Sequence, residues 1–257
     1  MTFVSPLTLD RFNSNTRLVF SPSTAPAFNL AAEEYFFSAR EEYVFLYVNH
    51  ASVIVGYNQA VANEVDMDFC IDNDIRIVRR LSGGGAVYHD SGNLNYAFIS
   101  DKKEMPLSAD FLLPVVHVLQ QLDIPVETGK RKDLWLPGGY KVSGTASHVS
   151  KGRELHHGTL LYESNLEHLR RSLNPEKRNL IAKATASVPS PVKNIRSFLR
   201  EEERNPFSFR EFVRRFMDGT MNYFNIAALT TLSPDEVEAI ETLQREKYSQ
   251  RAWNYRM

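Results

Sequence analysis

The chain has 257 residues, 43% of them hydrophobic and 24% charged, with 30 Lys+Arg against 31 Asp+Glu. That length suits one large α/β domain with a real core, and the balanced charge excludes the basic excess of a generic nucleic-acid or anionic-membrane binder. A single cysteine, Cys70, excludes an intrachain disulfide framework; the opening MTFVSPLTLDRF has no secretory pattern, and YVFLYV is too short to cross a bilayer, so a cytoplasmic enzyme or binding protein is expected.

In chain order, NLAAEEYFFSAR (29–40) reads as a helix with Asn29 as N-cap and Glu33 and Glu34 near its positive end. YVFLYV (43–48) and SVIVG (52–56) read as buried strands, and NEVDMDFCIDND (63–74) as one short helix. IRIVRR (75–80) alternates as a strand does. AVYHD and LNYAFIS read as two strands of a hairpin turned by SGN.

SADFLLPVVHVLQQL (108–122) puts Phe111, Leu112, Val115, Leu119 and Leu122 on one helical face, with Pro114 in the first turns or at a kink. KDLWL, YKVSGTASHVS and RELHHGTLLYE read as a second set of strands, turned by PGG and SKG. A loop containing KATASVPSPVKN (183–194) follows a short helix, and loops this long in compact domains are usually functional. The C-terminal part is helical, with capping boxes at SFRE (208–211) and SPDE (233–236). The expected fold is α/β of the α+β kind, with mixed, largely antiparallel sheets flanked by helices.

The chemistry concentrates in RRLSGGGAVYHD (79–90). Successive N–H groups of a glycine-rich turn form an anion-binding nest, and an arginine adds a fixed charged fork. If the strand continues, Arg79 and Arg80 face opposite ways and only one enters a site. In GYKVSGTA (139–146), Lys141, Ser143 and Thr145 share a strand face, and Gly144 permits close approach. His156 and His157 face opposite ways, so they cannot serve one centre. Cys70 stands among acidic residues, which disfavour the thiolate a nucleophile needs.

Together these blocks resemble the lipoate–protein ligase family: NLAAEEY, VIVGYNQAVANEV, RRLSGGGAVYHDSGNLNYAFI, KDLWLPGGYKVSGTA, HHGTLLYESNLEHLRRSL and SVPSPVKNI, from about residue 29 to residue 200. The resemblance implies the fold shared with biotin–protein ligases and akin to class II aminoacyl-tRNA synthetase cores. It implies ATP-dependent activation of lipoate to lipoyl-AMP with Mg²⁺. The lipoyl group then passes to a lysine of an apo lipoyl domain of a 2-oxoacid dehydrogenase complex or of the glycine-cleavage H protein.

Carried over by position, the resemblance assigns the nucleotide to Arg80, Ser82, Gly83, Gly84, Gly85, Ala86, Val87, Tyr88, Lys141 and Ser143. It assigns the lipoyl group to Lys141, Gly144, His89, His157 and Gly158, catalysis to Lys141, Mg²⁺ to Asp133, and closure over the adenylate to the 183–194 loop. Two departures stand out. Lys132 occupies the place where the family usually has asparagine before the aspartate. Residues 1–257 read as one catalytic domain without the C-terminal accessory domain of many members, so a separate small protein is expected to assist adenylation. The rivals are a lipoyl or octanoyl transferase, working through lipoyl-AMP or through a cysteine thioester, and a non-catalytic lipoate- or nucleotide-binding protein. The thioester transferases place their cysteine just before the central lysine block, where RKDLWLPGGYK has none.

Overall fold

A computed structural model describes residues 16–174 and 184–256; the opening MTFVSPLTLDRF and Lys183 of the predicted loop lie outside the described residues. The first half runs β1 (Arg17–Phe20), α1 (Pro26–Ser38), β2 (Tyr43–Tyr47), β3 (Ser52–Val55), α2 (Val61–Glu64), α3 (Met67–Asp72), β4 (Arg76–Arg79), β5 (Val87–His89) and β6 (Asn93–Asp101). A 3₁₀ turn, Ala109–Leu112, leads into α4 (Leu113–Gln121), then β7 (Glu127–Thr128), β8 (Leu134–Leu136), β9 (Tyr140–Ser143), β10 (Thr145–Ser150) and β11 (Arg153–Leu161). Helices α5 (Leu166–Ser172), α6 (Ile195–Glu201), α7 (Phe209–Phe224) and α8 (Pro234–Leu243), a π-turn at Gln244–Tyr248 and α9 (Arg251–Asn254) complete it.

The main sheet has the order β1-β2-β6-β11-β10, antiparallel except for β1 with β2. One face packs Val44, Leu46, Tyr96 and Leu160 against α4, α6 and α7; the other packs Phe45, Tyr47, Ala97 and Leu155 against α1 and α8. The side-chain period of two sends neighbouring strand residues into these two cores. A second sheet, β4-β3-β5, turns Ile54 and Val78 toward α1 and Val53, Val55 and Tyr88 toward α2 and α3. A third, β7-β8-β9, lies beside β11. The expected mixed, largely antiparallel architecture is met. Among the described residues no helix is long and apolar enough to cross a membrane.

Four local expectations are corrected. Helix α1 starts at Pro26 after Ala25, so Asn29 is not its N-cap: its fully buried amide bonds to Ser21, Ser23 and Asn49. Residues 63–74 hold parts of two helices, because Asp66 breaks the chain and caps α3 by accepting from the Phe69 N–H at 2.9 Å. β5 and β6 are both strands, joined by a turn in which Asp90 accepts from Gly92 N–H. They are not a hairpin: β5 pairs with β3 while β6 lies between β2 and β11. Two long antiparallel neighbours offer β6 more pairing than the three-residue β5 does. Finally, YKVSGTASHVS is broken at Gly144, where the chain passes from the third sheet to the main one. Pro114 sits in the first turn of α4, where its missing N–H costs nothing.

Candidate active site

The three sheets leave between them a cavity of about 330 Å³. β2 and β6 contribute Tyr47 and Asn95, β3 contributes Ile54, and β5 contributes Val87 and His89. Lys141, Gly144, Thr145, Ala146, His157, Gly158 and Thr159 form the opposite wall, with Arg80, Gly84, Gly85 and Ala86 at one end beside Thr185–Val188. Arg131 and Asp133 complete that end, and Leu30 reaches in from α1.

The glycine block makes a tight loop folded around a buried arginine. Gly84 has φ +85°, a conformation that glycine adopts without steric cost. Arg80, 4% exposed, donates to Ser82 Oγ and to the carbonyls of Ile54, Gly83 and Gly85. Its guanidinium therefore braces the loop from beneath. Burial pulls its pKa down to about 10, against the opposing pull of Glu33, and it keeps its charge at neutral pH. Arg79 points the other way, as the alternation requires. Fully buried, it donates to the carbonyls of Gly56, Tyr57 and Gln59 on one side and of Trp253, Asn254 and Arg256 on the other.

Beneath the loop runs a buried chain of hydrogen bonds. His157 Nε2 meets Ser82 Oγ at 2.6 Å, its Nδ1 meets the Glu33 carboxylate at 2.8 Å, and Tyr47 Oη donates to Glu33 at 3.0 Å. The carboxylate fixes the imidazole, which accepts from Ser82, which in turn accepts from Arg80. His156 goes to the opposite face, stacked on Phe111 with ring centroids 4.4 Å apart.

The 184–194 segment closes the loop end. Ser187 Oγ accepts from Ala86 N–H at 2.9 Å and from Gln59 Nε2 at 3.1 Å, and Ser187 N–H donates to the Glu64 carboxylate at 3.2 Å. Pro191 O accepts from Lys141 N–H at 2.8 Å, and Ser190 Oγ from Arg131 at 3.0 Å. A β-carbon at Gly85 would lie 2.9 Å from Ser187 Oγ, so the glycine admits this segment.

At the same end, Lys141 Nζ lies 3.4 Å and Arg131 3.8 Å from Asp133 Oδ2. Burial draws the Lys141 pKa down, and Asp133 opposes that. Burial would raise the Asp133 pKa, but hydrogen bonds from the Trp135 indole and Lys141 hold it below its ordinary value. Asp133 Oδ2 is buried and meets Lys141 and Arg131 at ion-pair distance, without a well-aligned hydrogen bond. Lys132 has φ +59°, a left-handed conformation in which asparagine is several-fold enriched. The departure from the family pattern thus falls on a position whose backbone favours asparagine, and the Lys132 ammonium bonds to Leu107 O.

Of the residues singled out from sequence, Arg80, Gly84, Gly85, Ala86, Val87, His89, Asp133, Lys141, Gly144, His157 and Gly158 line the cavity. Ser82 lies under the loop, and the cavity wall does not include Gly83. Tyr88 alternates away from it with its ring near His168, and Ser143 turns into the core against Tyr96 Oη at 3.3 Å. Sequence reasoning passed over Glu33 and Ser187; the first lies in the quoted NLAAEEY, the second in the loop already marked as functional. Cys70 is buried in the third core cluster, outside the cavity wall, and burial together with Asp66 pushes its thiol pKa up to about 12.

Residues 25–220 match the model of the lipoyl protein ligase A/B catalytic domain. The chain belongs to that family. Within the lipoyl protein ligase family, it is 36% identical over 235 residues to the lipoate-protein ligase LplJ of Bacillus subtilis, covering 90% of this chain and 70% of that protein. A bi-partite lipoate protein ligase of Thermoplasma acidophilum, described with its E2 lipoyl domain, superposes with TM-score 0.78 at 28% identity, covering 95% of this chain and 96% of that one. A lipoate-protein ligase A bound with ATP superposes with TM-score 0.78 at 26% identity, covering 94% and 98%. The expectation of a lipoate–protein ligase, drawn from the sequence blocks, is met.

Proposed function

We propose that this ligase activates lipoate with ATP inside the cavity and passes the lipoyl group to a lysine of an apo lipoyl domain, of a 2-oxoacid dehydrogenase complex or of the glycine-cleavage H protein. The observation that carries the reading is the convergence, at one end of one cavity, of the glycine loop, Lys141, Asp133 and the 185–188 segment. A carboxylate and a polyphosphate repel each other, and preorganised donors offset that repulsion where charge develops. In the first half-reaction a lipoate carboxylate oxygen bonds to the α-phosphorus while the bond to pyrophosphate breaks. In the second, the acceptor amine bonds to the acyl carbon, AMP leaves, and the amine loses a proton.

The N–H groups of Gly84 and Gly85 hold phosphate oxygens, and Lys141 spans phosphate and acyl oxygen. Lys141 is an electrostatic catalyst in this reading, since its own acylation would give a stable amide. Asp133 Oδ2 suits Mg²⁺, which binds through one or two carboxylates together with substrate phosphates. When bound there, the ion would neutralise phosphate charge. The 184–194 segment excludes water from the hydrolysable adenylate. The reaction belongs to a reducing cytoplasm, where a lone buried Cys70 persists as a thiol.

The thioester-transferase reading is disfavoured by Cys70, which stands outside the cavity wall with a thiol held protonated. Incubation with ATP, Mg²⁺ and lipoate, with and without an apo lipoyl domain, tests the proposal. Pyrophosphate and AMP release and the mass gain of the acceptor are followed. Mass gain dependent on ATP and lipoate is expected; mass gain without ATP would overturn the reading in favour of transfer. Supplying lipoyl-AMP separately times the second half-reaction, and slow adenylation with fast transfer would point to the separate small protein.

A further inference from the structure

The turn between β3 and α2 holds a fully buried amide, Gln59, fixed by groups that lie outside the 184–194 segment. Gly56 N–H donates to Gln59 Oε1 at 2.8 Å, which identifies the other end of the amide as its nitrogen. The Gln59 carbonyl accepts from Arg79 at 2.7 Å, and its backbone N–H donates to Gly56 O at 3.1 Å. Nε2 therefore reaches the 184–194 segment as a preset donor. It meets Ser187 Oγ at 3.1 Å and Thr185 O at 3.4 Å.

Ser187 Oγ also accepts from Ala86 N–H at 2.9 Å. A hydroxyl has two lone pairs and one hydrogen. The two donors occupy both lone pairs, so any third bond of this hydroxyl is one that it donates. Among the described residues it has no acceptor. The Ser187 N–H is held by the Glu64 carboxylate at 3.2 Å, which fixes the backbone as well. Ser187 lines the cavity beside Gly84, Gly85 and Ala86, at the end that also holds Lys141. An O–H donor with a set direction and no acceptor of its own thus stands beside the glycine loop.

We infer that Gln59 is a positioning residue that makes Ser187 a hydrogen-bond donor to the phosphate of the lipoyl adenylate. The inference rests on the ligase reading above. In the second half-reaction the bond between acyl carbon and phosphate oxygen breaks, and its electron pair stays on the oxygen of the departing AMP. A donor already fixed beside that oxygen stabilises the charge as it develops. Without the Gln59 amide one lone pair of Ser187 is released, the hydroxyl gains a second orientation, and the preset direction is lost.

The test is a double-mutant cycle on kcat/KM for transfer from lipoyl-AMP to an apo lipoyl domain, with Gln59→Met, Ser187→Ala and the pair together. Ser187→Ala is expected to lose about ten-fold or more, the worth of a hydrogen bond to a charged group. Gln59→Met is expected to lose about three- to ten-fold alone, the worth of a neutral hydrogen bond. It should lose less than about two-fold when Ser187 is already alanine, because it acts through that hydroxyl. A merely structural Gln59 costs the same in both backgrounds, and such additive losses would overturn the inference. So would full activity in Ser187→Ala, which changes a partly exposed residue and leaves Gln59 in place. Gln59→Glu serves if Gln59→Met does not fold. It keeps the acceptor for Gly56 N–H but turns a second acceptor toward Ser187, drawing the hydroxyl hydrogen away from the ligand. It is expected to be at least as slow as Ser187→Ala, and a wild-type rate would count against the inference. A wild-type chain that transfers normally beside an additive cycle overturns the inference alone. One that modifies no acceptor from lipoyl-AMP overturns the ligase reading and the inference with it.

Discussion

Substituting Gly85 by alanine asks whether the glycine block is shaped for the 184–194 segment. The backbone at Gly85 is not left-handed, so alanine adds no conformational strain there. Its methyl carbon would lie 2.9 Å from Ser187 Oγ and 3.3 Å from Ser187 Cα. The Cα belongs to the backbone, so the segment itself must move. Moving it weakens three hydrogen bonds: Ala86 N–H and Gln59 Nε2 to Ser187 Oγ, and Ser187 N–H to Glu64. At about 0.5–1.5 kcal/mol each, of which part survives relaxation, the closed arrangement loses roughly 2 kcal/mol, or about thirty-fold in population. Gly85→Ala should slow pyrophosphate release at saturating lipoate by 10- to 100-fold, on the order of that loss, while Tm falls by about 4–8 °C. Gly83→Ala is the control, because a β-carbon there meets nothing within 4 Å. Equal losses in the two variants, or full activity in Gly85→Ala, would refute the argument that Gly85 makes room for Ser187.

Lys141→Ala should fold, since Asp133 keeps Arg131 and Trp135, yet lose on the order of a hundred-fold or more in lipoyl transfer, measured as acceptor mass gain. Cys70→Ser should keep transfer activity and form no acyl adduct by mass spectrometry, losing about 1 kcal/mol in a denaturant titration as a buried thiol becomes a hydroxyl. Lys132→Asn should raise Tm by about 1–4 °C by easing the left-handed backbone, and a fall in Tm would show that the Leu107 contact matters more. Because the His89 pKa drops from 6.5 to about 3 on folding, the unfolded chain binds the extra proton between those values. Stability should therefore fall as pH falls from about 6.5 toward 3, and His89→Leu should flatten that slope by one proton.

The strands were largely legible because burial writes itself as composition: Tyr43–Tyr47 and Ser52–Val55 are buried at every position. The SPDE box is complete, with Ser233 and Glu236 exchanging bonds across the first turn of α8. At SFRE only half of it forms: Ser208 caps the helix while Glu211 pairs with Arg214 and Arg215. Pairing was not legible, since the turn after Asp90 has hairpin chemistry while the partners of β5 and β6 are set by distant strands. In the site, alternation correctly separated Arg79 from Arg80 and His156 from His157. The same rule applied to β5 would have put Val87 and His89 in the cavity and Tyr88 outside it. Ser187 could be placed only through its contact with Gly85 and Ala86, a hundred residues earlier, and no local pattern encodes that.

Arg79 ties two distant stretches of backbone to one rigid, delocalised ion. Six carbonyl groups converge on it, three from the strap at Gly56–Gln59 and three from the α9 turn at Trp253–Arg256. Its charge is dissolved in carbonyl dipoles; burial, and after it the neighbouring Arg256, lowers its pKa to about 10. It behaves as a keystone: withdraw either abutment and a bare cation is left in the masonry. Gly56 abuts the glycine loop closely enough that a β-carbon there would lie 2.2 Å from Gly84 O. A pull on α9 is therefore felt, through a single guanidinium, at the glycine loop on the lip of the cavity.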